Sequence, residues 1–245
     1  VRTCPVVPVP ATGAGSPSDV ALTAIKANPN CFVFNEVFPG GFTPSFGGSV
    51  SDWSIASGVK GNTESGTLYD VSVSVGENQA DYYIENTLNG SLGPNSPTSF
   101  NPGSYVQLEK NFNADFSKGF PVANFASDLN VAWGLEFREE QFTVISGNEE
   151  SWEIGPYFNQ GFGIGSNGFG GFSPSMAGTW DRSNLGVYVD LEADVSENLL
   201  LGLAVRYEDF DTFGSTSNSK ISGLYRINES VSLRGTMSTG FRAPT

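Results

Sequence analysis

The chain contains no histidine, only two cysteines in 245 residues, and 12 lysines and arginines against 26 aspartates and glutamates, a formal charge of −14. Each scarcity excludes a chemistry. Without histidine there is no imidazole base or ligand, so histidine triads, zinc proteases and histidine-ligated haem are out. Without clustered basic side chains nothing neutralises a phosphate backbone, which excludes nucleic acid as a partner. No apolar run approaches the ~20 residues that a membrane-spanning helix requires. What the chain holds instead is 30 glycines and 19 phenylalanines, with charged residues at only 16%. The hydrophobic fraction, 38%, is low for a packed globule, yet the aromatic content separates it from a disordered tail.

The chain opens at Val1 without an initiator methionine or a secretory pattern, and stops at Thr245 inside an extended-looking segment. It therefore reads as an internal piece of a longer protein. Cys4 and Cys31 fit neither a CxxC redox motif nor a zinc ribbon. Confined to one proline-rich polar segment, they suit a disulfide closing a surface loop in an oxidising compartment; two unpaired thiols are the alternative.

Residues 1–48 are loop-like, with Pro5, Pro8, Pro10, Pro39-Gly40-Gly41 and Gly47-Gly48, and a short helix is expected at Asp19–Ala27 with Ser18 or Asp19 as cap. Beyond them a two-residue alternation takes over. Val187, Val189, Leu191 and Ala193 alternate with Gly186, Tyr188, Asp190, Glu192 and Asp194, every charge on one face as a strand requires. Val131, Trp133, Leu135 and Phe137 oppose Ala132, Gly134, Glu136 and Arg138, and Leu199, Leu201, Leu203, Val205 and Tyr207 oppose Arg206 and Glu208. Val106, Leu108, Phe112, Ala114 and Phe116 share a parity that Lys110 interrupts. The parity of Tyr69, Val71, Val73 and Val75 slips near 76–78, where a bulge is expected. Eight strands are expected, at 51–60, 67–89, 103–117, 127–146, 182–195, 198–213, 217–228 and 231–242. Several exceed the ~5–6 residues usual in soluble sheets. Short turns at 196–198 and 228–230 alternate with glycine-rich connections at 90–103 and 147–182, as in an outer-membrane barrel. The short link at 214–218 does not follow that scheme.

The motifs with chemical potential each have a plainer explanation. Residues 163–168 spell G-x-G-x-x-G, but no helical pattern follows to receive a pyrophosphate, so a glycine-rich surface loop is the better reading. Glu139-Glu140, Glu149-Glu150 and Glu208-Asp209 are adjacent carboxylates, which on a strand point to opposite faces and are poorly placed for shared acid–base work. No serine has a histidine base, G-x-S-x-G is absent, and no calcium-loop spacing occurs, so neither an enzyme, a metal nor a cofactor is expected. Trp53, Trp133, Tyr69, Tyr82, Tyr207 and Tyr225 sit in or near strands, where either an interfacial girdle or ordinary sheet packing would place them.

Arg182-Ser-Asn-Leu-Gly-Val-Tyr-Val-Asp-Leu-Glu192 resembles the barrel of a TonB-dependent outer-membrane receptor. Arg206-Tyr-Glu-Asp-Phe-Asp-Thr-Phe-Gly214 is similar to that family's "RYEDYSDFG" stretch, and Lys220 with Leu224-Tyr225-Arg226 fits its next strand. Leu233-Arg234-Gly235 with Ser238-Thr-Gly240-Phe241-Arg242-Ala243-Pro244-Thr245 resembles its "LRGSYSTGFRAPS" strand. Upstream, Ser91-Leu-Gly93, Ser96-Pro-Thr-Ser-Phe100 and Asn130-Val-Ala-Trp-Gly-Leu-Glu136-Phe-Arg138 also match, so the likeness runs in order over about 50–245.

The resemblance implies an all-β fold: a partial antiparallel transmembrane barrel of about eight consecutive strands from a 22-stranded whole. Residues 1–48 would be extracellular loop and 49–245 barrel wall, with the plug domain and TonB box absent from the chain. It implies a Gram-negative outer-membrane location, with lipid and lipopolysaccharide around the wall and the TonB complex as partner through the plug. The implied activity is import of a scarce small-molecule ligand, foremost a metal chelate such as a ferric siderophore, with cobalamin, glycans or peptides as alternatives. By parity, Asp190, Glu192, Arg206, Glu208 and Arg234 would face the lumen. Gly240, Phe241, Arg242, Ala243 and Pro244 form a family signature that carries no ligand role here. A passive porin and a secreted β-sandwich binding module are the competing readings, and the eight-strand piece alone is not expected to transport.

Overall fold

The computed structural model describes residues 1–4 and 19–243, with the side chains of 19–22 left out. Along the chain come helix α1 (Asp19–Ala27) and strands β1 (Ser45–Asn62), β2 (Leu68–Glu85), β3 (Ser99–Phe120), β4 (Leu129–Ser146), β5 (Gly178–Ser196), β6 (Leu199–Phe210), β7 (Gly214–Asn228) and β8 (Val231–Ser238). All eight strands join one sheet in sequence order, with β1 and β8 at its edges. A single open sheet excludes the β-sandwich. No described helix is long and apolar enough to cross a membrane.

Four strands begin earlier than the alternation suggested, and for β1 and β3 contacts with neighbouring segments account for it. β1 already includes Gly47, where a Cβ would come within 2.5 Å of the Tyr83 ring carbon Cζ; the glycine lets an aromatic ring lie over the strand. β3 includes Pro102 and Gly103 at its start, where Phe172 N–H donates to the Pro102 carbonyl and Gly103 has φ +120°. β5 starts at Gly178 rather than 182, and β7 at Gly214 rather than 217.

The bulge expected near 76–78 is absent from the β1–β2 ladder up to Glu77. Trp53 Nε1–H donates to Glu77 Oε1 at 3.2 Å, Gly76 lies against Ser54, Gly58 against Ser72 and Gly61 against Tyr69, partners that step evenly. Farther along β2 the apolar parity changes because the surroundings change. Tyr82 packs on Phe169, and the fully buried Ile84 on the Gly168 backbone, both in the connection after β4.

The chain forms two compact units. The first comprises Val1–Ser51, Asn78–Val106 and Thr143–Thr179. Its core is Phe32, Leu88 and Tyr157, with Phe34, Val37, Phe38, Phe42 and Phe162 packed around them. The Cys4 and Cys31 sulfurs are bonded beside this core, and Arg2 adds an ion pair to Glu36 at 2.8 Å.

The second unit comprises Asp52–Glu77, Gln107–Phe142 and Trp180–Thr245. Register fixes its two faces. Leu191, Leu203, Ile221 and Met237 lie abreast on one face, as do Val189 with Val205 and Tyr225 with Leu233. Apart from the half-buried Leu191 these apolar side chains are exposed, Leu203 at 46% and Met237 at 77%. The tight β7–β8 turn is set by Asn228, whose Oδ1 accepts from Ser230 and Val231 N–H at 2.9 Å each.

Candidate functional site

The other face of the second unit carries a ladder of charge. Two-residue alternation on β4, β5 and β6 places Glu136, Arg138, Glu140, Arg182, Tyr188, Arg206 and Glu208 on that side. Arg206 Nη2 donates to Glu208 Oε1 at 3.0 Å and to Glu136 Oε2 at 3.2 Å, while Arg138 donates to the other oxygen of Glu136 at 2.8 Å. Arg182 pairs with Glu140, and Arg226 Nη1 donates to Asp194 at 2.8 Å.

Tyr188 crosses β4 to donate its hydroxyl to Asp115 Oδ1 of β3 at 2.6 Å. It can do so because position 134 is glycine: a Cβ there would meet Asp115 Oδ1 at 2.6 Å and Tyr188 Cε1 at 2.7 Å. Gly186 likewise leaves room for the Arg206 guanidinium. Lys60, Asp70, Asp115 and Tyr188 line a concavity of about 630 Å³ in this unit. Paired guanidinium and carboxylate groups of this kind satisfy one another's hydrogen bonds and hold the face polar and rigid.

Of the sequence-predicted positions, the structure brings Arg206 and Glu208 together. Among the described residues, Asp190, Glu192 and Arg234 stand outside these ion pairs, though Asp190 shares the charged face with Lys220 through the Ala204 position. The signature residues Gly240 to Ala243 follow β8, with the Phe241 ring 5.5 Å from Phe213 and 6.0 Å from Phe210; Pro244 lies outside the described residues. Glu136 and Arg138 were absent from the predicted set although their parity already marked them. Lys110, the exception on the apolar parity of β3, pairs with Glu139 of β4 at 2.6 Å. The adjacent Glu139 and Glu140 thus serve opposite faces, as strand geometry demands.

The first unit holds a buried polar knot among its connections. Asn89, fully buried, donates through Nδ2 to the carbonyls of Glu150 at 2.9 Å and Glu153 at 3.0 Å, and its Oδ1 accepts from Ser91 N–H and Oγ–H. Ser91 Oγ in turn accepts from Gly155 N–H at 2.8 Å. The G-x-G-x-x-G stretch belongs here: Gly165 and Gly168 have φ of +71° and +102°, and no helix follows. Glu150 is held below the usual carboxylate range by its own backbone N–H and by the Asn148 amide. Glu153 is pushed up by desolvation and then by Glu149 and Glu150. Tyr82, read as a girdle residue or ordinary sheet packing, belongs to a ring cluster with Phe46, Tyr105, Phe169 and Phe172. No group of side chains able to hold a metal ion occurs among the described residues.

A family model described as TonB dependent receptor-like, beta-barrel matches residues 23–245. The siderophore receptor PirA from Acinetobacter baumannii is similar in structure at a TM-score of 0.56 and 13% identity, over 80% of this chain and 26% of that one. The RagAB peptide transporter is similar at 0.53 and 16%, over 80% of this chain and 23% of that one. At these identities the likeness is one of fold. No curated protein matches the chain.

Proposed function

The chain belongs to the TonB-dependent receptor-like β-barrel family, and from that premise we propose that it forms part of the wall of an outer-membrane importer driven by the TonB complex. It spans about a quarter of the length of the two solved chains it resembles. The observation that carries the reading is the sorting of the second unit, with exposed aliphatics on one face and ion-paired arginines and carboxylates on the other. In the membrane reading the first face meets hydrocarbon and lipopolysaccharide acyl chains, and the second faces an enclosed polar interior that holds a plug. Arg206, Glu208, Asp190, Glu192 and Arg234 then hydrogen-bond to plug or water. Residues before β1, with the Cys4–Cys31 bridge, belong on the extracellular side. The protein works as a transporter, with no catalytic step of its own.

The proposed ligand is a ferric siderophore, supported by the likeness to PirA, a siderophore receptor by its description. A peptide is the second reading, supported by the likeness to RagAB, a peptide transporter by its description. Uptake of radiolabelled ferric chelates and of labelled oligopeptides in cells with and without the gene, each with TonB intact or deleted, tests both. TonB-dependent accumulation of a chelate is expected. Accumulation of peptide alone favours the second reading, and uptake indifferent to TonB defeats the importer.

A further inference from the structure

The chain contains two Asn-Gly dipeptides, Asn89-Gly90 and Asn167-Gly168, and the fold treats them in opposite ways. Asn89 is fully buried, and both ends of its amide are engaged, with Nδ2 donating to two carbonyls and Oδ1 accepting two hydrogen bonds from Ser91. Asn167 is exposed, its side chain has no partner among the described residues, and the Gly168 amide has no acceptor among them. Gly168 is also irreplaceable where it stands. Its φ is +102°, and a Cβ would meet Pro44 Cβ at 2.9 Å and Ile84 Cδ1 at 3.2 Å.

We propose that Asn167 is a site of spontaneous deamidation that loosens the connection after β4 as the protein ages. The Gly168 backbone nitrogen attacks Cγ of Asn167, a C–N bond forms, the Cγ–Nδ2 bond breaks, and ammonia leaves with the displaced proton. The resulting succinimide is opened by water at either carbonyl, giving isoaspartate or aspartate. The net change is one water consumed and one ammonia released, with no oxidant, reductant or enzyme required. The missing side chain at Gly168 that the packing demands is also what leaves this nitrogen unshielded.

The consequence is structural because the backbone of Asn167 is a clamp. Its N–H donates to the Leu88 carbonyl at 3.0 Å, and its carbonyl accepts from Oγ1 of the fully buried Thr87 at 2.6 Å. Isoaspartate inserts a methylene into the main chain at that point, so the two bonds and the Gly168 slot against Pro44 and Ile84 cannot all persist. Aspartate adds a charge and keeps the clamp.

The test uses the protein as encoded, purified in detergent and aged at mildly alkaline pH, then digested with trypsin. Asn167 reports in fragment 139–182 and Asn89 in fragment 61–110. In the folded protein the first gains one mass unit at Asn167 at least about tenfold faster than the second gains it at Asn89, because Asn89 reacts only after local opening. In denaturant both dipeptides react and the difference closes. Asn167→Gln abolishes the gain in 139–182 and keeps the aged connection resistant to protease. Equal rates at the two sites in the folded protein, or an Asn167 that stays intact while folded and reacts once unfolded, would overturn the proposal. The outcome is independent of whether the protein imports anything.

Discussion

At Gly134 one missing methyl group decides whether three strands share a hydrogen bond. Tyr188 reaches Asp115 across that position, and a Cβ would meet a carboxylate oxygen, a ring carbon and the Ala114 carbonyl, all below 3 Å. Overpacking of this kind costs about 1–3 kcal/mol. Gly134→Ala should therefore lower the thermal midpoint in detergent, whereas Gly235→Ala, with nothing within 4 Å of its Cβ, should leave it nearly unchanged. The matched pair separates the contact from the general effect of removing a strand glycine. Glu153 and Glu150 supply a second residue-scale prediction, read as protease resistance of the connection after β4. Glu153 is raised in the folded chain, so its contribution is present below the ordinary carboxylate value and lost as pH rises through the folded value. Glu150 is lowered, so its contribution is present at neutral pH and lost on acidification through its folded value. Glu153→Gln should accordingly raise resistance at neutral pH, and Glu150→Gln should reduce it. The same sign from both changes would contradict this electrostatic account.

Strands are the scale at which the two faces acquire meaning. Leu203 sits abreast of Leu191 and Ile221, and Glu192 faces the opposite way beside Gly202. An arginine on a lipid-facing strand costs about 2–4 kcal/mol at the bilayer midplane. Leu203→Arg should block membrane assembly, scored by loss of the heat-modifiable band on electrophoresis, and Glu192→Gln should assemble normally. Equal behaviour of the two would remove the face assignment. This sorting was legible in the sequence because a strand writes its faces at every second residue, and Val187 to Ala193 does so without exception. Strand starts were less legible. Gly47 read as a loop residue, yet the Tyr83 ring occupies the space where its side chain would be. The charge ladder was half legible: parity puts Glu136 and Arg206 on one side, but which carboxylate an arginine finds depends on interstrand register. Nothing local announces the Asn89 knot, because its acceptors Glu150 and Glu153 lie 61 and 64 residues away. The pattern 163–168 was legible as a glycine-rich loop, because no helical pattern follows it to receive a phosphate.

For the molecule as a whole, charge and apolar surface make opposite demands. A net charge of −14 favours dispersal in water, but exposed charges repel weakly beyond the ~8 Å Debye length at physiological salt. Against that stand Val187, Val189, Leu203, Val205, Ile221, Tyr225, Leu233 and Met237, exposed on one face of one sheet, each gaining on leaving water a part of the roughly 1.5–3 kcal/mol that full burial of such a side chain is worth. A few such side chains outweigh the screened repulsion, and soluble monomers rarely expose a continuous apolar patch of this extent. The unpaired edges of β1 and β8 add backbone donors and acceptors that invite pairing with another chain. The 245-residue chain should therefore float with lipid vesicles in a density gradient and aggregate when detergent is removed without lipid. The effect should persist in high salt, which screens charge and strengthens apolar association. If the chain stayed monomeric and dispersed in plain buffer at high salt, its apolar face would have found cover within the chain, and the case for hydrocarbon on that side would be lost. Leu203→Arg supplies the control: it weakens flotation if the face is the cause and leaves it unchanged if the free edges are.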